Sequence, residues 1–276
     1  MRNDPLSVFY VLWPSPEPPS EEEIRLSLGP GAREVPATFE TDSRPLWSAS
    51  FAIDPCPAPS LLWAAPNEYL PAAIELDAAR VEPATRKAVW DSRWHLGVAS
   101  ALPRGAPLAA WRWHLKTCHL LCPDLGAAFD ASAYRLHGAG RVKALLDGSE
   151  PLRPLDLFMV HMVLPCRRGG GLWLHTHGLE RVGFPDIEMW DVPGGEAQDR
   201  GQVINRFVER FLLEGPPPPR SRFELEGGEA LCWMPLAQAL RGRPEDAHGG
   251  RRDRESGTHG GWRIVLVPAA GHVPAT

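Results

Sequence analysis

LFMVHMVLPCRRGGGLWLHTHGLERVGFPDIEMWDV, residues 157–192, contains three short apolar segments separated by turns rich in glycine and proline. The segments 157–165, 172–177 and 186–192 are rich in β-branched and large apolar residues, which is typical of buried β-strands. The connection around PCRRGGG is short enough for a hairpin, so the first two strands are expected to pair antiparallel. This stretch therefore predicts part of an antiparallel sheet.

Strands and single helices alternate on both sides of this stretch, which favours an α+β fold of mostly antiparallel sheets, with helices packed on one face, in two α/β sandwich-like halves. Ser20 and Glu23 have the spacing of a helix-capping box, and Gly29-Pro30 follows as a stop signal. After residue 197, apolar side chains recur at helical spacing. The predicted strands outside the first stretch are 7–13, 47–53, 60–65, 94–102, a short hairpin at 126–132 and 133–138, two within 222–235, and 262–269. The main predicted helices are 20–30, 106–125 and 197–215.

At 276 residues the chain is long enough for two compact domains. We expect an N-terminal α+β region at 1–90 and a C-terminal α+β domain at 91–276 that carries the His-Thr-His motif. Residues 241–261 combine charges of both signs with glycines and lack large apolar side chains, which predicts a mobile surface loop. Because an apolar strand follows this loop, it is interpreted as an insertion.

Charge and targeting signals exclude several classes of protein. The net charge of −5 gives no general attraction to nucleic acid or to an anionic membrane. The N-terminus lacks the pattern of a secretory signal, and no apolar run approaches the roughly 18 residues of a membrane span. The five cysteines are odd in number and scattered, as expected for reduced thiols. A cytoplasmic protein without membrane or nucleic-acid partners is therefore expected.

The histidines of the first stretch are the main candidates for chemistry. In a β-strand, residues two apart point to the same side of the sheet, so His175 and His177 project together. If Leu164 pairs with Leu172 in the hairpin, His161 lies directly opposite His175. Three imidazoles would then share one side of one sheet.

Three such imidazoles suit a zinc ion, and Asp186 or Glu188 on the next strand is a candidate fourth ligand or general base. Under this hypothesis the protein is a metal-dependent hydrolase, with His161, His175 and His177 as metal ligands and Glu188 as the catalytic base. The alternative interpretation is structural: partly buried, hydrogen-bonded histidines that stabilise the turn at Gly178.

Other candidate motifs favour ordinary packing. His114, Cys118 and Cys122 follow one side of a predicted helix at four-residue steps. Three ligands stacked over two helical turns lie too far apart to converge on a metal, so a packed helix face is expected. The sequence contains neither a Gly-x-Ser-x-Gly elbow nor a Gly-x-x-x-x-Gly-Lys phosphate loop.

The segment 94–195 resembles an uncharacterised bacterial family of unknown function. Its members share a strand with an isolated histidine, a Trp-Leu-His-Thr-His-Gly-Leu motif, a glycine, and a Pro-acid-apolar-Glu sequence. The resemblance implies that the histidine cluster is the signature of the protein, but it implies no activity. The matching positions are His161, Trp173, Leu174, His175, Thr176, His177, Gly178, Leu179, Gly183, Pro185, Asp186 and Glu188.

Two functional hypotheses follow. The first is a non-enzymatic interaction or accessory protein of a bacterial conflict, defence or secretion system, which binds a protein partner and needs no cofactor. It depends on the absence of a complete catalytic set and on the long polar insertion, which can act as a docking loop. The alternative is the metal-dependent hydrolase, with zinc as the cofactor.

Overall fold

The computed structural model describes residues 6–36, 44–53, 59–102, 106–163, 171–215, 218, 221–224, 230–235 and 263–268. The expected loop at 241–261 lies outside these described residues. The chain divides into two compact units, residues 1–157 (unit 1) and 158–276 (unit 2). The expected boundary between residues 90 and 91 differs from this division, because the strand Trp94–Ala101 pairs within the sheet of unit 1.

Unit 1 contains a seven-stranded sheet with the order β2-β3-β4-β5-β1-β6-β7, and each neighbouring pair is antiparallel. The strand β2 and the helices α2, α3 and α5 were not predicted from the sequence. The elements of this unit are β1 (Leu6–Trp13), α1 (Glu21–Leu28), β2 (Ala32–Val35), β3 (Trp47–Ile53), β4 (Ser60–Pro66), α2 (Ala73–Ala78), α3 (Pro83–Asp91), β5 (Trp94–Ala101), α4 (Pro107–Leu121), β6 (Ala127–Asp130), β7 (Arg135–Gly138) and α5 (Ala139–Asp147).

Helices cover both faces of the unit 1 sheet. Phe9 of β1 contacts Trp111 of α4, with ring centroids 5.8 Å apart. Leu12, three residues along the same regular strand, faces the other side and belongs to a core cluster with Ile74 and Ala78 of α2. The prediction of helices on a single face was therefore wrong for this unit, because β1 buries apolar side chains on both sides and each side needs a cover.

Unit 2 contains a six-stranded sheet with the order β11-β12-β13-β10-β9-β8. All neighbouring pairs are antiparallel except β10 with β13, which is parallel. The predicted α+β class with mostly antiparallel sheets is thus confirmed. The elements of this unit are β8 (Met159–Val163), β9 (Leu172–His177), β10 (Asp186–Val192), α6 (Ala197–Glu214), β11 (Arg222–Glu224), β12 (Ala230–Pro235) and β13 (Arg263–Pro268).

The long helix α6 packs on this sheet and contacts β8, β9 and β10. Its predicted apolar stripe is buried, and the stripe includes Ile204, Phe207 and Phe211. Burial of an apolar stripe is what stabilises an amphipathic helix in a domain of this size. Among the described helices, none has the combination of length and hydropathy needed to cross a bilayer.

Candidate metal centre

The hairpin of β8 and β9 brings the three histidines to the same side of the unit 2 sheet. His161 pairs directly with His175, and Met159 pairs with His177. This is the register expected from the sequence, and it is confirmed. Because His175 and His177 are two residues apart in a strand and His161 is opposite the first of them, all three side chains project together.

The three imidazoles lie in mutual contact. The ring centroid of His161 is 4.6 Å from that of His177 and 5.7 Å from that of His175. The Nε2 atoms of His175 and His177 are 2.8 Å apart. Each ring offers one nitrogen within 4.8 Å of a nitrogen of the other two. Nitrogens that share a zinc ion each lie about 2.0–2.1 Å from it, so these three are close to one another but not at final ligand distances.

The short contact between His175 and His177 restricts the protonation of the pair. At this distance one Nε2 donates its hydrogen and the other accepts it, so the accepting ring is neutral. Neutral imidazole nitrogen is also the form that binds a metal ion. The Nε2 that donates would therefore have to lose its hydrogen before both nitrogens could bind a metal ion.

The three histidines differ in their exposure to solvent. His175 and His177 are 2% and 4% exposed, whereas His161, on the edge strand of the described sheet, is partly exposed. The indole of Trp173 packs against His175, with ring centroids 4.2 Å apart and planes 32° apart. Two imidazoles are thus held rigidly inside the unit, and the third marks the side from which a ligand can approach.

Glu188 is the acidic residue next to the histidines. It pairs with His175 on the adjacent strand β10 and is fully buried. Its Oε2 accepts a hydrogen bond of 2.6 Å from the indole Nε1 of Trp190. A buried carboxylate needs such partners, because removal of its charge from water is costly. Trp190 thus fixes the orientation of the only glutamate that faces His175 across the β9–β10 ladder.

Asp186, the other acidic candidate, is the first residue of β10 and forms hydrogen bonds with β9 and with the connection between the two strands. Its Oδ1 accepts a hydrogen bond of 2.9 Å from Thr176 Oγ1 and a longer one of 3.4 Å from the backbone N–H of Leu179. Thr176 Oγ1 in turn accepts a hydrogen bond from the backbone N–H of Ile187. These contacts indicate a role for Asp186 in stabilising the β9–β10 connection.

Of the two tryptophans of the centre, Trp173 was recognised from the sequence as part of the motif, on the side of His175, and Trp190 was missed. Their positions carried a usable signal: Trp173 is two residues before His175, and Trp190 is two residues after Glu188. Because residues two apart in a strand share a side, this spacing puts Trp173 on the side of His175 and Trp190 on the side of Glu188. That the indoles stack on an imidazole and hydrogen-bond a carboxylate was decided only by the packing.

The other candidate cluster is a packed helix face, as interpreted from the sequence. His114 is buried, and its Nε2 lies 3.1 Å from the carbonyl oxygen of Val98. Cys118 and Cys122 are also buried. Burial raises the pKa of the Cys122 thiol to about 12 and raises the pKa of Cys118 still further. A thiol held neutral in this way is a poor metal ligand, since the thiolate is the binding form.

A protein-family model matches part of this chain. A search of curated proteins and a search of solved structures found no similar protein. A family model described as "Protein of unknown function (DUF4026) C-terminal" matches residues 160–267, a segment that contains His161, His175, His177 and Glu188. A DUF4026 C-terminal domain, whose function is unknown, is therefore found at residues 160–267 of this chain.

Proposed function

We propose that unit 2 binds a divalent transition-metal ion, preferably zinc, through His161, His175 and His177. We further propose that the protein is a metal-dependent hydrolase. The observation that supports this proposal is the convergence of the three imidazole nitrogens within 4.8 Å of one another. Three ligands on two adjacent strands are also held more rigidly than ligands on loops.

The ligand set favours a catalytic over a structural metal site. Structural zinc sites are usually closed by four protein ligands, often cysteines, whereas catalytic sites use three protein ligands and keep a position for water. Within the described residues, only the three histidines group closely enough to share an ion. Zinc held by these residues would lower the pKa of a water molecule that it binds toward neutrality and would so favour attack by that water.

Glu188 would supply the carboxylate for this chemistry. We assign it as the general base that takes the proton of the attacking water as the oxygen bonds to the electrophilic centre of the substrate and the leaving group departs. Its pairing with His175 places it beside the ligand set, and the hydrogen bond from Trp190 keeps it in one orientation.

Metal content tests the proposal directly. We expect elemental analysis of the purified full-length protein to find stoichiometric zinc, manganese or iron, and the double variant His175→Ala, His177→Ala to lose it. His119→Ala, a histidine on α4 of unit 1, is the matched control and should retain the metal. The rate of hydrolysis of p-nitrophenyl esters and phosphates should increase with the metal content of the protein, and a chelator should abolish this activity. A metal-free protein that is destabilised by the double substitution would instead favour structural histidines.

A second proposal is the accessory function, a cytoplasmic protein that binds a protein partner in a conflict, defence or secretion system. Met162 favours it, since this large apolar side chain is 61% exposed on β8, an edge strand of the described sheet. Edge strands with exposed apolar side chains are typical sites for pairing with another chain. We expect Met162→Glu to abolish a stoichiometric complex isolated from the native host. A complex that survives this substitution would contradict the assignment of the interface.

A further inference from the structure

A cavity of about 400 Å³ lies in unit 2 between the C-terminal half of α6 and the strands β11 and β12. It shares no lining residue with the histidine centre. Small-molecule sites in proteins are concave, have volumes of roughly 300–1,000 Å³, and combine apolar walls with a few polar groups. The volume of this cavity is therefore sufficient for a small organic ligand.

Aromatic rings form the walls of the cavity. Phe207 and Phe211 come from α6, Phe223 from β11 and Trp233 from β12. Phe207 contacts Phe223 edge to face, with ring centroids 5.5 Å apart, and contacts Phe211 at 5.9 Å. Because Phe207 and Phe211 are buried core residues, the walls are preformed, and an apolar ligand would gain contact area without ordering these side chains first.

The charged residues at the cavity can bind an anion. Among the described residues, its lining includes the guanidinium groups of Arg210 and Arg222 and the carboxylate of Glu214. Glu224, outside this lining, balances the charge of Arg222. Arg210 Nε donates to Glu214 Oε2 at 2.8 Å, and Arg222 lies 3.6 Å from Glu224. All four side chains are more than 60% exposed, and exposed pairs of this kind are weak. A ligand carboxylate can therefore exchange with these glutamates at little cost and form bidentate contacts with arginine.

From these observations we propose that the cavity is a binding site for an amphipathic organic monoanion, a medium-chain or aryl carboxylate. The apolar body of the ligand lies against this aromatic wall, mainly against the partly exposed ring of Phe223, and its carboxylate binds Arg210 and Arg222. This site is independent of the metal proposal and is compatible with either function proposed above.

Fluorescence titration of the purified full-length protein tests this proposal. The first probe is 8-anilinonaphthalene-1-sulfonate, which combines an aromatic body with one anionic group, and decanoate is the competitor. We expect saturable binding of one probe per chain and its displacement by decanoate. Ser221→Phe, which adds a ring to the lining without removing a wall residue, should abolish binding. Circular dichroism verifies that this variant is folded, and Phe223→Ala replaces it if it is not.

The arginine contribution is measured separately. Arg210→Gln combined with Arg222→Gln should weaken binding roughly tenfold, as expected for the loss of charge-assisted hydrogen bonds. Arg200→Gln is the matched control, because Arg200 lies on the same helix in a similar i,i+4 pair with Glu196, outside the cavity. The affinity of this control variant for the probe should equal that of the wild type. The proposal would be overturned if the probe showed no saturable binding. It would also be overturned if the folded cavity variant or the double arginine variant bound the probe with the affinity of the wild type.

Discussion

Replacement of Glu188 by glutamine separates its charge from its shape. The amide oxygen of glutamine can still accept the hydrogen bond of Trp190, which is 2.6 Å long in the native protein. The substitution therefore removes the negative charge beside His175 and preserves the packing. Carboxylates close to metal ligands typically contribute 10- to 100-fold in metal affinity, or about 1.4–2.8 kcal/mol, and Glu188 would act in this way through its charge. Because Glu188 is fully buried and its charge is poorly screened, we expect a loss within this range.

The loss can be measured as zinc affinity and as zinc-dependent stability. At a free zinc concentration 100 times the wild-type Kd, bound metal stabilises the folded state by about 2.7 kcal/mol. An affinity 10- to 100-fold lower reduces this gain to between about 1.4 and 0.4 kcal/mol at the same zinc concentration. Competition with a chromophoric chelator gives the Kd, and denaturant unfolding with and without zinc gives the stabilisation.

The matched control is Glu196→Gln, which removes a half-exposed carboxylate of unit 2 that pairs with Arg200 away from the histidines. It should leave both measurements unchanged. A Glu188→Gln protein that binds zinc within twofold of the wild type would refute the reasoning, because a buried charge beside a ligand could not then be coupled to the metal.

Three further predictions concern unit 1. Gly97→Ala should destabilise the fold by roughly 1–3 kcal/mol in denaturant unfolding, because a Cβ at this position would lie 2.0 Å from the buried ring of Trp63; stability equal to the wild type would contradict this packing. Burial lowers the pKa of His95 from 6.5 to about 4. The unfolded chain therefore binds a proton that the folded chain does not, and stability should fall by roughly 3 kcal/mol as the pH decreases from 6.5 to 4. His95→Gln should reduce this slope, and an unchanged slope would assign it to other groups. Cys118 and Cys122, whose thiol pKa values are raised by burial, should resist iodoacetamide at pH 8 in the native protein and react after denaturation, whereas rapid native labelling would show that the helix opens.

Local patterns in the sequence determined most of the individual elements. Ser20 caps α1 by accepting a hydrogen bond from the backbone N–H of Glu23, and Gly29 ends the helix at a φ of 71°, both as predicted from residue type. The strand Trp47–Ile53 has the bounds that were expected. Such features depend on interactions within a few residues, so the sequence alone carries the information. The pairing of His161 with His175 belongs to the same class, since a short hairpin leaves few registers in which both strands bury their apolar side.

Contacts between distant segments were decided by the tertiary structure. The strand order of unit 1 places β5 between β4 and β1, so the expected domain boundary near residue 90 separates strands that pair with each other. The weak elements α2 and α3 are held by packing on Leu12 and Phe129 and have no strong periodicity of their own. In the candidate metal centre, the sequence determined that three imidazoles share a side. The packing of three strands decided how closely these imidazoles approach one another, with ligand nitrogens within 4.8 Å. It also decided that Asp186 hydrogen-bonds Thr176, whereas Glu188 accepts a hydrogen bond from Trp190. Side-chain distances of a few ångströms depend on the whole sheet, so the sequence alone does not predict them.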